Sequence, residues 1–529
     1  MPRRTIRRYG GAALAAVVVV ALWQLISLSG PYASVVPSPV ELLRQMWSDR
    51  SFYGPNIAAT MSEAAQGFLW GNVLAIAAAL LTSRYRILQR MLERFAVTAI
   101  ALPLVAVAPI LSILFSSGTP SVILAAQSVV FLTVASVLLG LRSVGAGSVD
   151  VIRAAGGSEW TVLRRARIPA ALPHLVGGLQ IAAPSALLGA IIGEYLGADH
   201  GLGVAMIQAQ GAFQVARLWG LLVVTSLLAA VCYAAIPLIA KLLVPALRSV
   251  ETTLGAAERA APKPSAARRL LRGVLSLVST LAVILAAWWG MAILLPGASS
   301  IAPAPDRVIP YLLHGQTSLG TTDAESAQAL PYMLGQLLRT LGDTGLGLFS
   351  GVALAVLVAI AAFEFKAIES AVLGVSVALR SIPMLAIIPL LALVFGRGLV
   401  AVTVLIAVMT FFPTVVNILV AMRAIPAAAE DILRSAGAPR WQTILRLRIP
   451  YALPGLLASV KIAIPVSIGA AMVAEWLSTG SGLGATLTVA AAVYDYDFIW
   501  GAVFLILLTS LAAYHLAAAA EARLAARRS

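Results

Sequence analysis

The stretch DVIRAAGGSEWTVLRRARIPAALP, Asp150 to Pro173, is answered 281 residues later by DILRSAGAPRWQTILRLRIPYALP, Asp431 to Pro454. Asp150/Asp431, Gly156/Gly437, Trp160/Trp441, Ile168/Ile449, Pro169/Pro450 and Pro173/Pro454 coincide. Long apolar runs flank each copy. A charged block repeated at one place in two apolar halves predicts one docking surface made twice, on the cytoplasmic side.

The apolar runs decide the fold class. Of 529 residues, 60% are hydrophobic and 11% charged, against about 25% charged in a soluble domain. The runs are roughly 17–25 residues long, the length that spans a bilayer as a helix. A helix satisfies its own backbone hydrogen bonds in lipid. The expectation is an all-α membrane protein of about twelve spans. They fall near 11–28, 62–82, 93–115, 120–140, 176–197, 217–240, 273–295, 335–362, 371–394, 399–420, 456–477 and 498–518.

The net charge of +15 raises nucleic acid as a partner, and its placement argues against one. With an inside N-terminus, 29 of the 37 lysines and arginines fall in inside segments. Outside segments hold only Arg44, Arg50, Arg307 and Arg397. Arg217, Arg339, Arg380 and Lys461 lie within or near spans. This is the positive-inside asymmetry of a membrane protein, with both termini cytoplasmic. The N-terminus looks like a secretory signal. Removing it would break a six-plus-six symmetry of spans, so an uncleaved first span is expected.

The repeat extends well beyond the charged block. Thr60, Gly67, Gly71, Pro103, Pro109 and Gly118 match Thr340, Gly347, Gly351, Pro383, Pro389 and Gly398 at an offset of 280. Beyond one inserted residue the offset is 281, through Pro184/Pro465, Glu194/Glu475, the Gly-Leu-Gly triplets at 201–203 and 482–484, and Trp219/Trp500. A Pro-x-Pro at 37–39 recurs at 303–305, so the second half carries about fourteen extra residues within 314–331. An even number of spans per half gives two parallel six-helix repeats. The boundaries expected are 1–248, a polar cytoplasmic linker 249–272, and 273–529.

The repeated block resembles the EAA loop of permeases of ATP-binding cassette (ABC) importers, E-A-A-x3-G-x9-I-x-L-P. The glycine is Gly156 and Gly437, and the closing proline Pro169 and Pro450. Asp150 and Asp431 replace the first Glu, and Val151-Ile152 and Ile432-Leu433 the alanines. GEYLGADHGLG, AEWLSTGSGLG and the Pro-x-Pro look like the nitrate/sulfonate/taurine branch. The resemblance implies a type I importer permease in a bacterial inner membrane. It implies two ABC ATPase subunits holding ATP and Mg, an extracytoplasmic solute-binding protein, and a small polar solute. Asp150, Gly156, Trp160, Arg164, Pro169, Asp431, Gly437, Trp441, Arg446 and Pro450 would then couple to the ATPase.

The residue chemistry of the block suits that role. Gly permits a left-handed turn at a helix end, and Pro stops or kinks the next segment. Two short helices meeting at a sharp corner are expected, from amphipathic stretches 157–166 and 438–447 that lie between a glycine and an Ile-Pro. A central Trp ringed by arginines is the composition that interface centres favour.

Candidate gate or pathway residues are Pro103, Pro109, Gln127, Glu194, Pro383, Pro389, Asn417 and Glu475. Prolines within spans free carbonyls and kink helices; irregular packing is the alternative. Gln127 and Asn417 have no like partner in the other half. They could meet an asymmetric solute, or hydrogen-bond between helices. Carboxylates at membrane ends, Glu194 and Glu475, could act at an outer gate, reach interfacial water or cap backbone amides.

Other chemistry is not apparent. None of the four lysines follows a glycine, so the chain has no Gly-Lys phosphate loop. The four histidines have no metal-site spacing, and the single Cys232 cannot form an internal disulfide. No catalytic residues and no cofactor of its own are expected. An ion-coupled secondary transporter with internal repeats is the other reading. It gives no reason for two matched cytoplasmic blocks.

Overall fold

A computed structural model describes residues 20–21, 23–29, 34–83, 85–116, 118–243, 278, 281–286, 288–290, 292–293, 301–319, 327–379 and 387–527. The linker 249–272, Arg380 and Pro383 lie outside the described residues, as does about half of each of the expected spans 11–28 and 273–295.

The first repeat includes helices α1 (Pro39–Ser48), α2 (Arg50–Thr82), α3 (Arg86–Ala101), α4 (Leu104–Leu114) and α5 (Thr119–Arg142). They continue with α6 (Ala146–Ala154), α7 (Glu159–Val162), α8 (Ile168–Glu194), α9 (Leu202–Gly211) and α10 (Val215–Leu243). The second repeat begins with α11 (Pro305–His314) and a two-residue antiparallel pair, β1 (Gln316–Thr317) and β2 (Ala327–Gln328). This small hairpin lies in the insertion that the first repeat lacks. Then come α12 (Ala329–Glu364), α13 (Lys366–Leu379), α14 (Ile388–Phe395), α15 (Leu399–Arg423) and α16 (Ala427–Ser435). The last are α17 (Arg440–Thr443), α18 (Ile449–Ala474), α19 (Leu483–Ala492) and α20 (Tyr496–Arg527).

Eight of the described helical runs are long and apolar enough to cross a bilayer. They form four equivalent pairs: α2/α12, α5/α15, the runs Glu159–Glu194/Arg440–Thr479, and α10/α20. The expected span 93–115 is instead broken into α3 and α4. Pro103 has φ −61° and ψ 133°, extended backbone. Its ring disfavours a helical conformation at Leu102, whose φ and ψ are −86° and 109°. The described parts of the expected span 371–394 belong to α13 and α14, and 380–386 lie outside the described residues.

Small residues let the spans pack closely. Gly67/Gly71 in α2 and Gly347/Gly351 in α12 stand four apart, on one helical face. A Cβ on Gly71 would lie 2.6 Å from Val129 Cγ2, and one on Gly347 would lie 2.6 Å from Ile406 Cβ. Only glycine permits α2 to meet α5, and α12 to meet α15, this closely.

The cores divide by level. Near the repeated blocks, Ala75, Ala79, Val134, Val137, Leu138 and Ala171 form one cluster, all in the first repeat. Their equivalents Ala355, Ala359, Val415, Ile418, Leu419 and Ala452 form a second cluster wholly within the second repeat. At the opposite end the cores mix the repeats. Val105 and Ile110 of α4 pack with Leu483 and Leu487 of α19 and Phe498 of α20. Leu390 of α14 packs with Leu202 and Met206 of α9 and Leu218 of α10. Each repeat lends its short helix to the other, so the sequence repeats are not separate packing units.

Candidate functional site

Each repeated block folds into a corner. Just beyond α6 the chain turns at Gly156, φ +78°, and just beyond α16 at Gly437, φ +71°. The Gly156 and Gly157 amides donate to Arg153 O and Ile152 O, both at 2.9 Å. The Gly437 and Ala438 amides donate to Arg434 O and Leu433 O, both at 3.0 Å. A left-handed residue here turns the chain while satisfying the last carbonyls. Ser158 then caps α7, accepting from the Thr161 amide at 3.3 Å, whereas Pro439 holds the equivalent place before α17.

Of the two effects expected of proline, stopping or kinking the next segment, the Ile-Pro pairs do not stop it. Short π-helical turns, Leu163–Arg167 and Ile444–Arg448, join α7 to α8 and α17 to α18. Proline lacks an amide donor and crowds the carbonyl four residues back. The wider π turn accommodates both consequences. Pro169 and Pro450 therefore sit in the first turn of α8 and α18, and each corner continues into its long span.

Trp160 is 64% exposed and Trp441 58%. Asp150, Arg164, Asp431 and Arg446 are exposed as well, while Val162 and Thr443 are buried beneath. Along the chain these exposed residues flank the glycine turn of each repeat. The two corners are anchored differently. In the first, Arg153 pairs with Glu159 at 2.6 Å, and Arg167 is 4.0 Å from Glu159. In the second, Arg448 pairs with Glu364, lies 3.5 Å from Glu430, and stacks 4.0 Å over the Phe363 ring.

At the opposite end stand the two carboxylates. Glu194 is 1% exposed and Glu475 fully buried, which excludes the interfacial-water reading. Both cap backbone amides: Glu194 Oε2 accepts from Gly203 N at 2.6 Å, and Glu475 Oε2 from Gly484 N at 2.8 Å. Thr60 and Thr340 accept from the amides of Leu202 and Leu483 at 2.8 and 3.0 Å. Asn56 and Gln336 accept from Gly201 and Gly482 at 3.0 and 3.1 Å. These amides open α9 and α19, where unpaired donors and the helix dipole favour negative charge. Gly201 and Gly482 have φ +140° and +96°, and a Cβ at either would overlap the carboxylate.

The remaining candidates scatter. Pro103 begins α4, Pro109 lies within it, and Pro389 lies in the first turn of α14. Gln127 donates to the Leu102 carbonyl at the helix break, 3.2 Å, and Asn417 to Ser459 Oγ, 2.8 Å. Lys461 pairs with Glu521 at 2.6 Å.

Sequence reading missed a clasp made twice. Trp23 stacks on Trp219 at 6.0 Å and donates to Pro37 O; Trp288 stacks on Trp500 at 5.3 Å and donates to Pro303 O. Trp219 and Trp500 donate to Val35 O and Ile301 O. The recurrent Pro-x-Pro is one side of this clasp. Trp23 and Trp288, offset by 265, were the available signal.

A known family matches this chain once per repeat. Residues 71–249 and 351–529 each match the family described as binding-protein-dependent transport system inner membrane component. A probable ABC transporter permease protein of Haemophilus influenzae is 30% identical over 209 residues, 39% of this chain and 85% of that protein. The riboflavin transport system permease protein RibX of Chloroflexus aurantiacus is 34% identical over 154 residues, 29% of this chain and 58% of that protein. The taurine transport system permease protein TauC of Escherichia coli is 28% identical over 215 residues, covering 41% and 76%. With the family domain matched twice along a bundle of apolar helices, the chain belongs to the binding-protein-dependent transport system inner membrane component family, as a fused double permease of the ABC transporter type.

Proposed function

We propose that this chain is the complete membrane pathway of an ATP-driven importer, one chain replacing the usual permease pair. The matched, exposed corners around Trp160 and Trp441 carry this reading. Two ABC ATPase subunits, or one fused pair, dock on them from the cytoplasm. ATP and Mg belong to that partner. An extracytoplasmic solute-binding protein docks at the opposite end and delivers a small polar solute, a class supported by relatives named for riboflavin and taurine transport.

Residues 1–248 and 273–529 act as the two permease repeats and 249–272 as a cytoplasmic linker, in a bacterial inner membrane with both termini inside. The lysine and arginine bias supports that orientation. Closure of the ATPase moves the corners, and the continuous α7–α8 and α17–α18 runs carry the motion through the membrane. Alternation then follows from the partners binding the two states unequally. Pro103, Pro109, Gln127, Pro383, Pro389 and Asn417 are the pathway candidates.

The test is cross-linking from single cysteines at 160 or 441, in a Cys232→Ser background, to the co-expressed ATPase. Cross-links from both positions support the reading. Labelling of both positions by an impermeant reagent from outside the cell would overturn it.

A further inference from the structure

Tyr195 and Trp476 occupy the same place in the two repeats, 281 residues apart, and their rings touch edge-on with centroids 6.2 Å apart. A residue can touch its own repeat equivalent only close to the axis that relates the repeats. We propose that these two rings are the outer gate of the transport pathway, a plug on its axis that must part to admit solute. The proposal rests on the importer reading.

Three further observations support it. Helix α8 is 27 residues long, so Tyr195 lies about 40 Å along the helix from the corner that begins it. The two larger mixed cores lie at this end, a smaller one joins Ala101 to Leu507 and Leu511 further along α20, and the clusters nearer the corners each stay within one repeat. The halves are therefore joined where the rings meet. Beside them, Gln210 Nε2 donates across the seam to Leu477 O at 3.4 Å.

The neighbouring carboxylates are positioning residues. Each immediately precedes a gate ring, and each is tied to the helix after it through Gly203 or Gly484. This fixes the direction in which the ring leaves its helix.

The test uses the full chain with its ATPase and binding protein, in liposomes, with Cys232→Ser throughout. Cysteines at 195 and 476 joined by a short thiol cross-linker should abolish uptake, and cleavage of the linker should restore it. The Tyr195→Ala/Trp476→Ala pair should admit iodide, read by quenching of an entrapped dye. Tyr195→Phe/Trp476→Phe should remain tight. Undiminished uptake in the cross-linked protein would overturn the gate, as would an alanine pair that assembles and stays as tight as wild type. Wild-type chain that binds no ATPase would instead overturn the importer reading, which separates the two failures.

Discussion

Thr340 and Glu475, 135 residues apart in the chain, meet by a hydrogen bond of 3.0 Å between α12 and the end of the α18 run. Thr340 also accepts from the Leu483 amide, so one hydroxyl ties three segments together. Thr340→Val should leave the buried amide and carboxylate short of a partner. A loss of about 1–3 kcal/mol is expected, the usual consequence of an unsatisfied buried group. Thermal unfolding in nanodiscs measures it, and Thr340→Ser should recover most of the loss.

The corners should differ in how they tolerate loss of their equivalent arginines. Arg448 has a side chain 12% exposed, paired with Glu364 and stacked on Phe363. Arg448→Ala should cost up to about 3 kcal/mol, the low end of breaking a buried pair. Arg167 is more exposed and only 4.0 Å from Glu159. Arg167→Ala should cost less than about 1 kcal/mol, as for surface pairs. Equal shifts in Tm would contradict this asymmetry.

Acid should loosen the start of α2. The Arg217 guanidinium hydrogen-bonds both oxygens of Asp49 at 2.9 Å and holds that carboxyl below its ordinary value. Because the folded value is the lower one, the stabilisation is complete above the unfolded value of about 3.9. It is lost as pH falls through the folded value. Asp49→Asn should lower Tm at neutral pH and flatten its fall below about pH 4. A variant with an unchanged acid profile would show that the pair contributes little.

The corner glycines isolate a backbone effect. Nothing lies within 4 Å of a Cβ built at Gly156 or Gly437. Their left-handed φ alone opposes other residues, by about 1–2 kcal/mol for an ordinary side chain. ATPase retention on a tagged chain should therefore fall in the order Gly, Asn, Ala, Val at either position. Wild-type retention in both valine variants would detach the turn from docking.

Local sequence carried the repeat, the glycine corners and the long apolar spans, and offered amide capping as one of three readings of Glu194 and Glu475. Each depends on nearby spacing or on matched positions. The sequence did not reveal that α4 and α14 pack in the opposite repeat, since both halves offer similar apolar faces. Nor did it reveal that Ile-Pro is absorbed in a π turn, because proline's usual effect is to interrupt. Glu63 and Asp343, matched at offset 280, stand beside Glu194 and Glu475, yet as single acids of different type within apolar runs they form no motif. The ring contact of Tyr195 with Trp476 depends on where the repeat axis runs, which spacing along the chain does not specify.

Native mass spectrometry of the complex from membranes tests the central claim most directly. One copy of this chain should appear with two ATPase domains, and both domains should be lost when Gly156→Val and Gly437→Val are combined. A chain that carries no ATPase, yet still takes up solute on an ion gradient alone, would contradict the claim.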